Sequence, residues 1–323
     1  MNSWKDRYLR YMQVRGYSPE TIEGHKTYLR SFLAYLESVS ITDPQAITPT
    51  IIRNYQTYLF EKVNQNGKQN TVSSRNNNLK AAKRFIRYMH SEGVWEEDPG
   101  QEVEYAIEPK RLPRTILTQA EMKRLLDAPD MNTALGYRDR TILEVFYTNG
   151  IRRSELINLR LGDLDLDAGT MRINAGKGNK DRVVPIGTIA IRYLKHYIKT
   201  VRPLLVKNND DHIFLSERSR KICKCMLGLR LKEYAKKAGI EKDISVHTLR
   251  ATCATHCLQG KKRREQMHPR HLMELLGHNS MEALNPYLSV SIADLKEAHT
   301  RCHPREMIVG TMHHGKIPKK GYI

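Results

Sequence analysis

Four short stretches of the sequence carry side chains that suit chemistry on a phosphate group. The first is Gly-Ile-Arg-Arg-Ser-Glu-Leu, which contains Arg152 and follows a predicted helix end at Asn149 and Gly150. At the start of the next helix, the guanidinium and the free backbone N–H groups would point at the same anion. An arginine in such a position more often pairs with a surface carboxylate, so this stretch alone is a weak indication.

The other three stretches are Gly-Lys-Gly, His-Thr-Leu-Arg and Leu-Leu-Gly-His, and the last precedes a tyrosine by nine residues. Gly-Lys-Gly lies between two predicted strands rather than before a helix, so a nucleotide-binding loop is not supported. A tyrosine can act as a covalent nucleophile when its phenol is deprotonated or its target is strongly activated. Each stretch alone is more often a solvated turn, a helix start or part of a core. The side chains concerned are Lys177, His247, Arg250, His278 and Tyr287.

The charge of the chain points to a polyanionic partner. The 323 residues include 54 Lys and Arg but only 35 Asp and Glu, which gives a formal net charge of +19. Residues 62–91 concentrate this charge, with seven basic side chains and no acidic one. Like charges held this close are costly without a counter-anion, and phosphate is the usual one. Four of these side chains are predicted to contact a phosphate backbone: Lys80, Lys83, Arg84 and Arg87.

An anionic membrane surface is the rival partner for these charges, and the sequence disfavours it. The helix that carries them interleaves Leu79, Phe85, Ile86 and Met89 at the spacing of a core face. No window approaches the ~18 apolar residues of a membrane span, and the N-terminus lacks the apolar stretch of a secretory signal. The five cysteines show no disulfide framework, so we expect a cytoplasmic protein with free thiols.

Helix signals dominate the first part of the chain. Two Ser/Thr-Pro pairs, at positions 18–19 and 48–49, combine an N-cap with a proline in the first helical position, and a further helix is predicted over 71–89. We predict an all-helical domain over residues 1–97. Prolines and a glycine follow it with few large apolar groups, which predicts a linker over residues 98–114.

The rest of the chain mixes helices with a small β component. Thr118 and Glu121 form a capping-box pattern that opens a second domain, predicted over residues 115–298. Two short predicted strands, Thr170–Asn174 and Arg182–Ile186, flank residues typical of a hairpin turn. A basic tail with several histidines follows. This tail spans residues 299–323. Within the second domain, further helices are predicted near residues 188–200, 223–238, 247–258 and 268–276.

In order and spacing, the four stretches resemble those of the tyrosine recombinase (phage integrase-like) family, and its compact Xer-type members in particular. The family shows Gly-x-Arg-x-Ser-Glu-Leu, a hairpin Gly-Lys-Gly, His-x-Leu-Arg, Leu-Gly-His and a tyrosine nine residues further on. The resemblance implies a mainly α fold with a small β component, in which an all-helical, SAM-like core-DNA-binding domain precedes a mixed α/β catalytic domain. The matching positions here are Arg152, Lys177, His247, Arg250, His278 and Tyr287.

The same resemblance implies a site-specific DNA recombinase that acts on double-stranded DNA as a homo-tetramer on two sites, without a metal, a cofactor or ATP. Tyr287 would attack the scissile phosphate and form a 3′-phosphotyrosyl link, while Arg152 and Arg250 would clamp the non-bridging oxygens. The family includes enzymes of chromosome dimer resolution, of phage or element integration and of transposition.

The remaining matched residues take supporting roles by this resemblance. Lys177 would protonate the leaving 5′ oxygen, and His247 and His278 would act as acid–base or hydrogen-bonding partners. Glu155 lies one helical turn from Arg152 and could orient that arginine or a histidine.

The sequence departs from the family pattern in three places. Ala251 stands where the family often has a histidine, and residues 260–268 are longer and more basic than the usual turn. Pro286 directly precedes Tyr287, and proline disfavours α geometry in the residue before it. We therefore expect Tyr287 at a helix start or on a loop.

Three alternatives compete with the recombinase hypothesis. A type IB topoisomerase shares the chemistry, but the all-helical N-terminal domain and the Xer-like spacing disfavour it. A catalytically silent DNA-binding protein is disfavoured by the complete set of six catalytic positions. A metal nuclease would need ligands such as Cys302 and His303 of the tail, which lack a recognised zinc-site spacing.

Overall fold

The computed structural model describes residues 1–63, 67–109, 115–174, 181–259 and 266–277, together with residues 280, 282 and 284. The chain divides into two compact units, Met1–Arg111 and Leu112–Ile323, which we call the first and second unit. Each unit has its own cluster of buried apolar side chains. None of the helices in this described part combines the length and the apolar character needed to cross a bilayer.

Helices form nearly all of the first unit, as the cap signals predict. The helices are α1 (Asn2–Val14), α2 (Pro19–Ser38), α3 (Pro49–Glu61) and α4 (Val72–Ser91), and a short 3₁₀ turn, Pro44–Ala46, joins α2 to α3. The side chains of Ser18, Thr48 and Thr71 each accept a hydrogen bond from a backbone N–H in the first turn of the following helix. α4 packs against the other three helices and buries Phe85 and Ile86 completely.

The segment that follows α4 differs from the predicted linker. The side chain of Lys83 donates a hydrogen bond to the carbonyl of Val103 at 2.6 Å, and Val103 itself is buried. The amide of Asn76 donates to the carbonyl of Ala106 at 2.8 Å and accepts from its N–H at 3.0 Å. Part of the predicted linker, up to residue 109, is therefore attached to α4 within the first unit, because two polar side chains of that helix satisfy its backbone groups.

The second unit is built around one buried helix. Its helices are α5 (Gln119–Asp127), α6 (Ala134–Asn149), α7 (Arg153–Asn158), α8 (Thr188–His196), α9 (Arg202–Leu205), α10 (Lys224–Lys237), α11 (Val246–Leu258) and α12 (Pro269–Leu276). α6 packs against α5, α8 and α11. The predicted capping box at the start of α5 is present, since Thr118 and Glu121 exchange both hydrogen bonds, at 2.7 and 3.1 Å.

A three-stranded antiparallel sheet completes the second unit, in the order β1 (Leu164–Asp165), β2 (Thr170–Ile173) and β3 (Arg182–Pro185). The two predicted strands are confirmed, each one residue shorter than expected. β1 was not predicted, because two residues are too few to show a strand period. In the pairing of β2 with β3, buried Met171 lies opposite buried Val184. The hairpin residues that include Lys177 lie outside the described residues.

Candidate active site

A buried carboxylate organises the first part of the site. Gly150 ends α6 in a left-handed conformation, with φ 55°, and the chain restarts as α7 with Arg152 as its N-cap. Three residues on, Glu155 accepts hydrogen bonds from the backbone N–H of Arg152 at 2.7 Å and from its Nη1 at 2.7 Å. The contact between Glu155 and Arg152 that the sequence suggested is therefore present, and it is a capping-box contact.

Arg152 and Arg250 reach the same turn of the backbone. Nη2 of Arg152 donates to the carbonyl of Gly277 at 2.6 Å, and Nη2 of Arg250 donates to the preceding carbonyl, that of Leu276, at 2.7 Å. Nη1 of Arg250 also donates to the carbonyl of Gly150 at 2.7 Å. The last carbonyls of a helix carry partial negative charge, so the end of α12 draws the two guanidiniums together. Two of the predicted catalytic side chains are thus neighbours in space.

The carboxylate that holds Arg152 is ionised. Burial raises the pKa of Glu155, but hydrogen bonds from Arg182 and Arg152 outweigh that effect and lower it from the ordinary 4.5 to about 2. Only 3% of this side chain is exposed, so its charge is compensated by the two guanidiniums rather than by water. At neutral pH the site therefore has one fixed negative charge between two fixed positive ones.

The remaining predicted catalytic residues are only partly described. His247 is exposed on the first turn of α11, one turn before buried Arg250. Lys177, His278 and Tyr287 lie outside the described residues, although Gly277, which contacts Arg152, immediately precedes His278 in the chain.

Arg182 is a residue of the site that the sequence did not predict. It is the first residue of β3, and its Nη1 and Nη2 donate to the two oxygens of Glu155 at 3.0 and 2.9 Å. A signal was present, because Arg-Val-Val-Pro-Ile directly follows the Gly-Lys-Gly hairpin. Nothing in that pattern says that the arginine points to the carboxylate rather than to solvent, since its partner lies 27 residues away in the sequence.

The predicted phosphate-contacting residues of α4 fall into two groups. Lys80, Arg84 and Arg87 are exposed, and their spacing of four and three residues puts them on one face of the helix. Arg87 has 69% of its side chain exposed and forms a loose pair with Asp98, at 3.6 Å. This face is therefore basic and open, as a surface that meets nucleic acid should be.

Lys83 does not belong to that face, which corrects the prediction for this residue. It is buried, and its ammonium bonds the Val103 carbonyl within its own unit. Burial lowers the pKa of Lys83, as expected for a cation removed from water. The number of basic residues in 62–91 does not distinguish the buried Lys83 from the exposed ones. The residue that bonds Lys83, Val103, lies outside this range.

One group of potential metal ligands occurs among the described residues, formed by Asp210, Asp211 and His212. Asp210 Oδ1 lies 2.6 Å from His212 Nδ1, and Asp211 pairs with Arg160 at 3.0 Å. The acidic groups are thus already matched by protein partners. The tail residues considered as zinc ligands, Cys302 and His303, lie outside the described residues.

Comparison with known proteins fits this geometry. Residues 115–293 match the phage integrase family, and residues 4–96 match the phage integrase N-terminal SAM-like domain. The chain belongs to the phage integrase family. A curated relative, the tyrosine recombinase XerC of Pelotomaculum thermopropionicum, is 34% identical over 308 residues, which cover 93% of this chain and 97% of the relative. This phage integrase family member is a tyrosine-type site-specific recombinase.

Solved structures of family members share the fold. The XerH site-specific recombinase bound to its difH substrate matches with a TM-score of 0.66 and 19% identity, over 93% of this chain and 84% of that one. A lambda integrase tetramer bound to a Holliday junction matches with a TM-score of 0.64 and 17% identity, over 90% of this chain and 79% of that one. The mainly α fold with a small β component, predicted from the family resemblance, is confirmed.

Proposed function

We propose that this recombinase cuts and rejoins double-stranded DNA through a covalent bond between Tyr287 and a 3′ phosphate. The pair of arginines at the end of α12 supports this proposal. Arg152 and Arg250 come from distant parts of the sequence and bond consecutive backbone carbonyls. Two guanidiniums fixed this close together can both serve one phosphate, with bidentate geometry that suits its non-bridging oxygens.

The cutting step exchanges one phosphate ester for another. The phenol oxygen of Tyr287 forms a bond to phosphorus, the bond from phosphorus to the 5′ oxygen breaks, and the phenol proton leaves to a base. Lys177 gives a proton to the departing 5′ oxygen, and His247 and His278 hydrogen-bond the phosphate or accept the phenol proton. Arg152 and Arg250 neutralise the charge that builds on the phosphate, and each such donor is worth about 3–4 kcal/mol of barrier.

Rejoining is the same step in reverse. A free 5′ hydroxyl, from the same or another strand, attacks the phosphotyrosine and releases Tyr287. The covalent bond conserves the energy of the phosphodiester, so the proposed cycle consumes no ATP. The arginines and Lys177 supply the positive charge that a metal ion would otherwise supply.

Exchange between two DNA sites needs several copies of the enzyme. We propose a homo-tetramer on two DNA sites, with the exposed face of α4, formed by Lys80, Arg84 and Arg87, against the DNA backbone. The lambda integrase tetramer on a Holliday junction supports this by analogy of fold. Because its substrate is DNA, the enzyme would act in the compartment that holds the genome. In a cell without a nucleus, this compartment is the cytoplasm.

Replacement of the proposed nucleophile tests this function. The substrate is a duplex whose binding site the wild-type chain has selected from a randomised pool. Tyr287→Phe should bind this selected duplex with unchanged affinity and form no SDS-resistant adduct, because the ring remains and the attacking oxygen is gone. Tyr322 is the only tyrosine further along the chain, so Tyr322→Phe is the matched control and should form adduct normally. Adduct at wild-type yield from Tyr287→Phe would reject the assignment.

A further inference from the structure

Arg182 connects three parts of the second unit at a single guanidinium. Its Nη1 and Nη2 donate to both oxygens of Glu155, and its Nε lies 3.4 Å from the carbonyl of Leu275. Only 14% of the side chain is exposed. The residue opens β3 and pairs with Ile173 of β2, so it fixes one end of the hairpin to the Glu155 carboxylate.

The same guanidinium packs against the backbone of Gly277. A Cβ added at Gly277 would lie 2.8 Å from both Cζ and Nη1 of Arg182, so the guanidinium would have to shift away from its present place. Gly277 also has φ +65°, in the left-handed region, where a side chain is strained. Arg182 therefore packs on the turn whose carbonyls bond Arg152 and Arg250, and a side chain at position 277 would disturb this contact as well as strain the backbone.

The carboxylate of Glu155 accepts the same number of hydrogen bonds from Arg152 as from Arg182. Each oxygen accepts one bond from Arg152 and one from Arg182, at distances between 2.7 and 3.0 Å. Without Arg182, the buried carboxylate would keep half of these bonds, and Arg152 alone would have to compensate its charge. The Arg152 guanidinium would then be drawn further into its pairing with Glu155.

We propose that Arg182 is a positioning residue of the recombination reaction, which fixes Glu155 and the Gly277 turn and thereby holds Arg152 toward the phosphate. This inference rests on the proposed function, since it assumes that Arg152 neutralises a phosphate during cutting. It distinguishes Arg182 from Arg152 and Arg250, because Arg182 acts through Glu155 and the turn and does not touch the DNA.

The test compares two substrates that differ in charge at the cutting position. The first is the selected duplex, and the second carries a methylphosphonate there, in which a methyl group replaces one non-bridging oxygen and removes the negative charge. Adduct formation is timed for wild type, Arg182→Met and Arg152→Met. Arg182→Met should be slower than wild type on the phosphodiester by about 10–100-fold, the range known for residues that orient the ligands of a catalytic metal.

On the methylphosphonate, the wild-type to variant ratio should shrink for Arg182→Met as it does for Arg152→Met, because little charge remains to be neutralised. A merely structural role would slow both substrates equally, and that result would overturn the proposal. An Arg182→Met rate equal to wild type would also overturn it. Absence of adduct from the wild-type chain on both substrates would reject the proposed function itself.

Two further variants serve as a control and as a substitute for Arg182→Met. Arg160→Met is the matched control, because Arg160 also bonds both oxygens of a carboxylate, that of Asp211 at 3.0 and 3.1 Å, but on the surface. It should react like wild type on both substrates. Arg182→Lys keeps the charge, so it replaces Arg182→Met if that variant melts below the assay temperature. The rate of adduct formation by Arg182→Lys should fall less than that of Arg182→Met, and the fall should again be smaller on the methylphosphonate. A fall of equal size on both substrates would contradict the proposal.

Discussion

At the scale of single residues, Glu155 shows how burial and hydrogen bonding oppose each other. Burial favours the neutral acid, whereas the bonds from Arg182 and Arg152 favour the anion and win, so the pKa falls from 4.5 to about 2. A lowered carboxyl pKa stabilises the fold above the ordinary pKa of the unfolded chain, and this contribution is lost as the pH falls through about 2. The arginine arrangement is therefore insensitive to pH across the neutral range.

Lys177 has the most specific of the proposed chemical roles, that of general acid. A general acid is needed only when the leaving oxygen is a poor leaving group, and its loss costs about 10²–10⁴-fold in rate. Lys177→Ala should therefore lose most adduct formation on the selected duplex. It should regain the wild-type rate on a duplex whose bridging 5′ oxygen is sulfur, because a thiolate departs without a proton. The measurement is the rate of adduct formation on the two duplexes.

Lys180, which follows Lys177 by three residues in the sequence, provides the control. Lys177 is flanked by glycines, which allow the backbone to approach DNA closely, and Lys180 is not. Lys180→Ala should cut both duplexes at nearly the wild-type rate. Rescue by sulfur in Lys180→Ala, or a persistent defect of Lys177→Ala on the sulfur duplex, would show that the role is wrongly assigned.

At the scale of elements, α4 presents one basic face and buries one lysine. Replacing Lys80, Arg84 and Arg87 together by glutamine should weaken binding to all DNA sequences. It should also flatten the plot of log affinity against log salt by about 0.9 for each phosphate that the helix no longer neutralises. Fluorescence anisotropy on duplexes of two unrelated sequences over a range of salt concentrations measures both effects.

Lys83→Met is the comparison variant from the same helix. It removes one positive charge but alters a buried ammonium that bonds Val103, so the salt slope should stay at the wild-type value. A slope that falls as much for Lys83→Met as for a single exposed substitution would mean that the segment over Lys83 moves away when DNA binds. An unchanged slope in the triple variant would place its charges on a solvated surface.

Elements with strong local signals could be predicted from the sequence. The caps at Ser18, Thr48 and Thr118, and the glycine stop at Gly150, depend on contacts within a few residues, and the structure confirms each of them. The β2–β3 hairpin was predicted for the same reason, because the two strands and the turn residues between them are adjacent in the chain.

Features made by distant residues could not be predicted in this way. The burial of Lys83 depends on a segment twenty residues later, and the Arg182–Glu155 pair joins a strand to a helix. The meeting of Arg152 and Arg250 was expected only through the family resemblance. Composition and periodicity report on local structure, and they hold no information on which guanidinium reaches which carbonyl.

At the scale of the whole molecule, the proposed chemistry relies on the chain's own cations. Adduct formation on the selected duplex should proceed at an unchanged rate in excess EDTA and without nucleotide, because Arg152, Arg250 and Lys177 supply the positive charge. The measurement is adduct yield over time with and without chelator. Loss of cutting in EDTA that Mg²⁺ or Zn²⁺ restores would favour the metal nuclease instead.

The backbone contacts of the two arginines also bear on when a newly made chain becomes able to break DNA. Arg250 bonds a carbonyl 26 residues after it, that of Leu276, and Arg152 bonds one 125 residues after it, that of Gly277. Neither arrangement can be complete until the ribosome has passed Gly277, and Tyr287 is translated later still. An unfinished or truncated product would therefore carry the basic face of α4 without a working cutting centre. By the proposed mechanism, such a fragment would bind DNA through this face without cutting it.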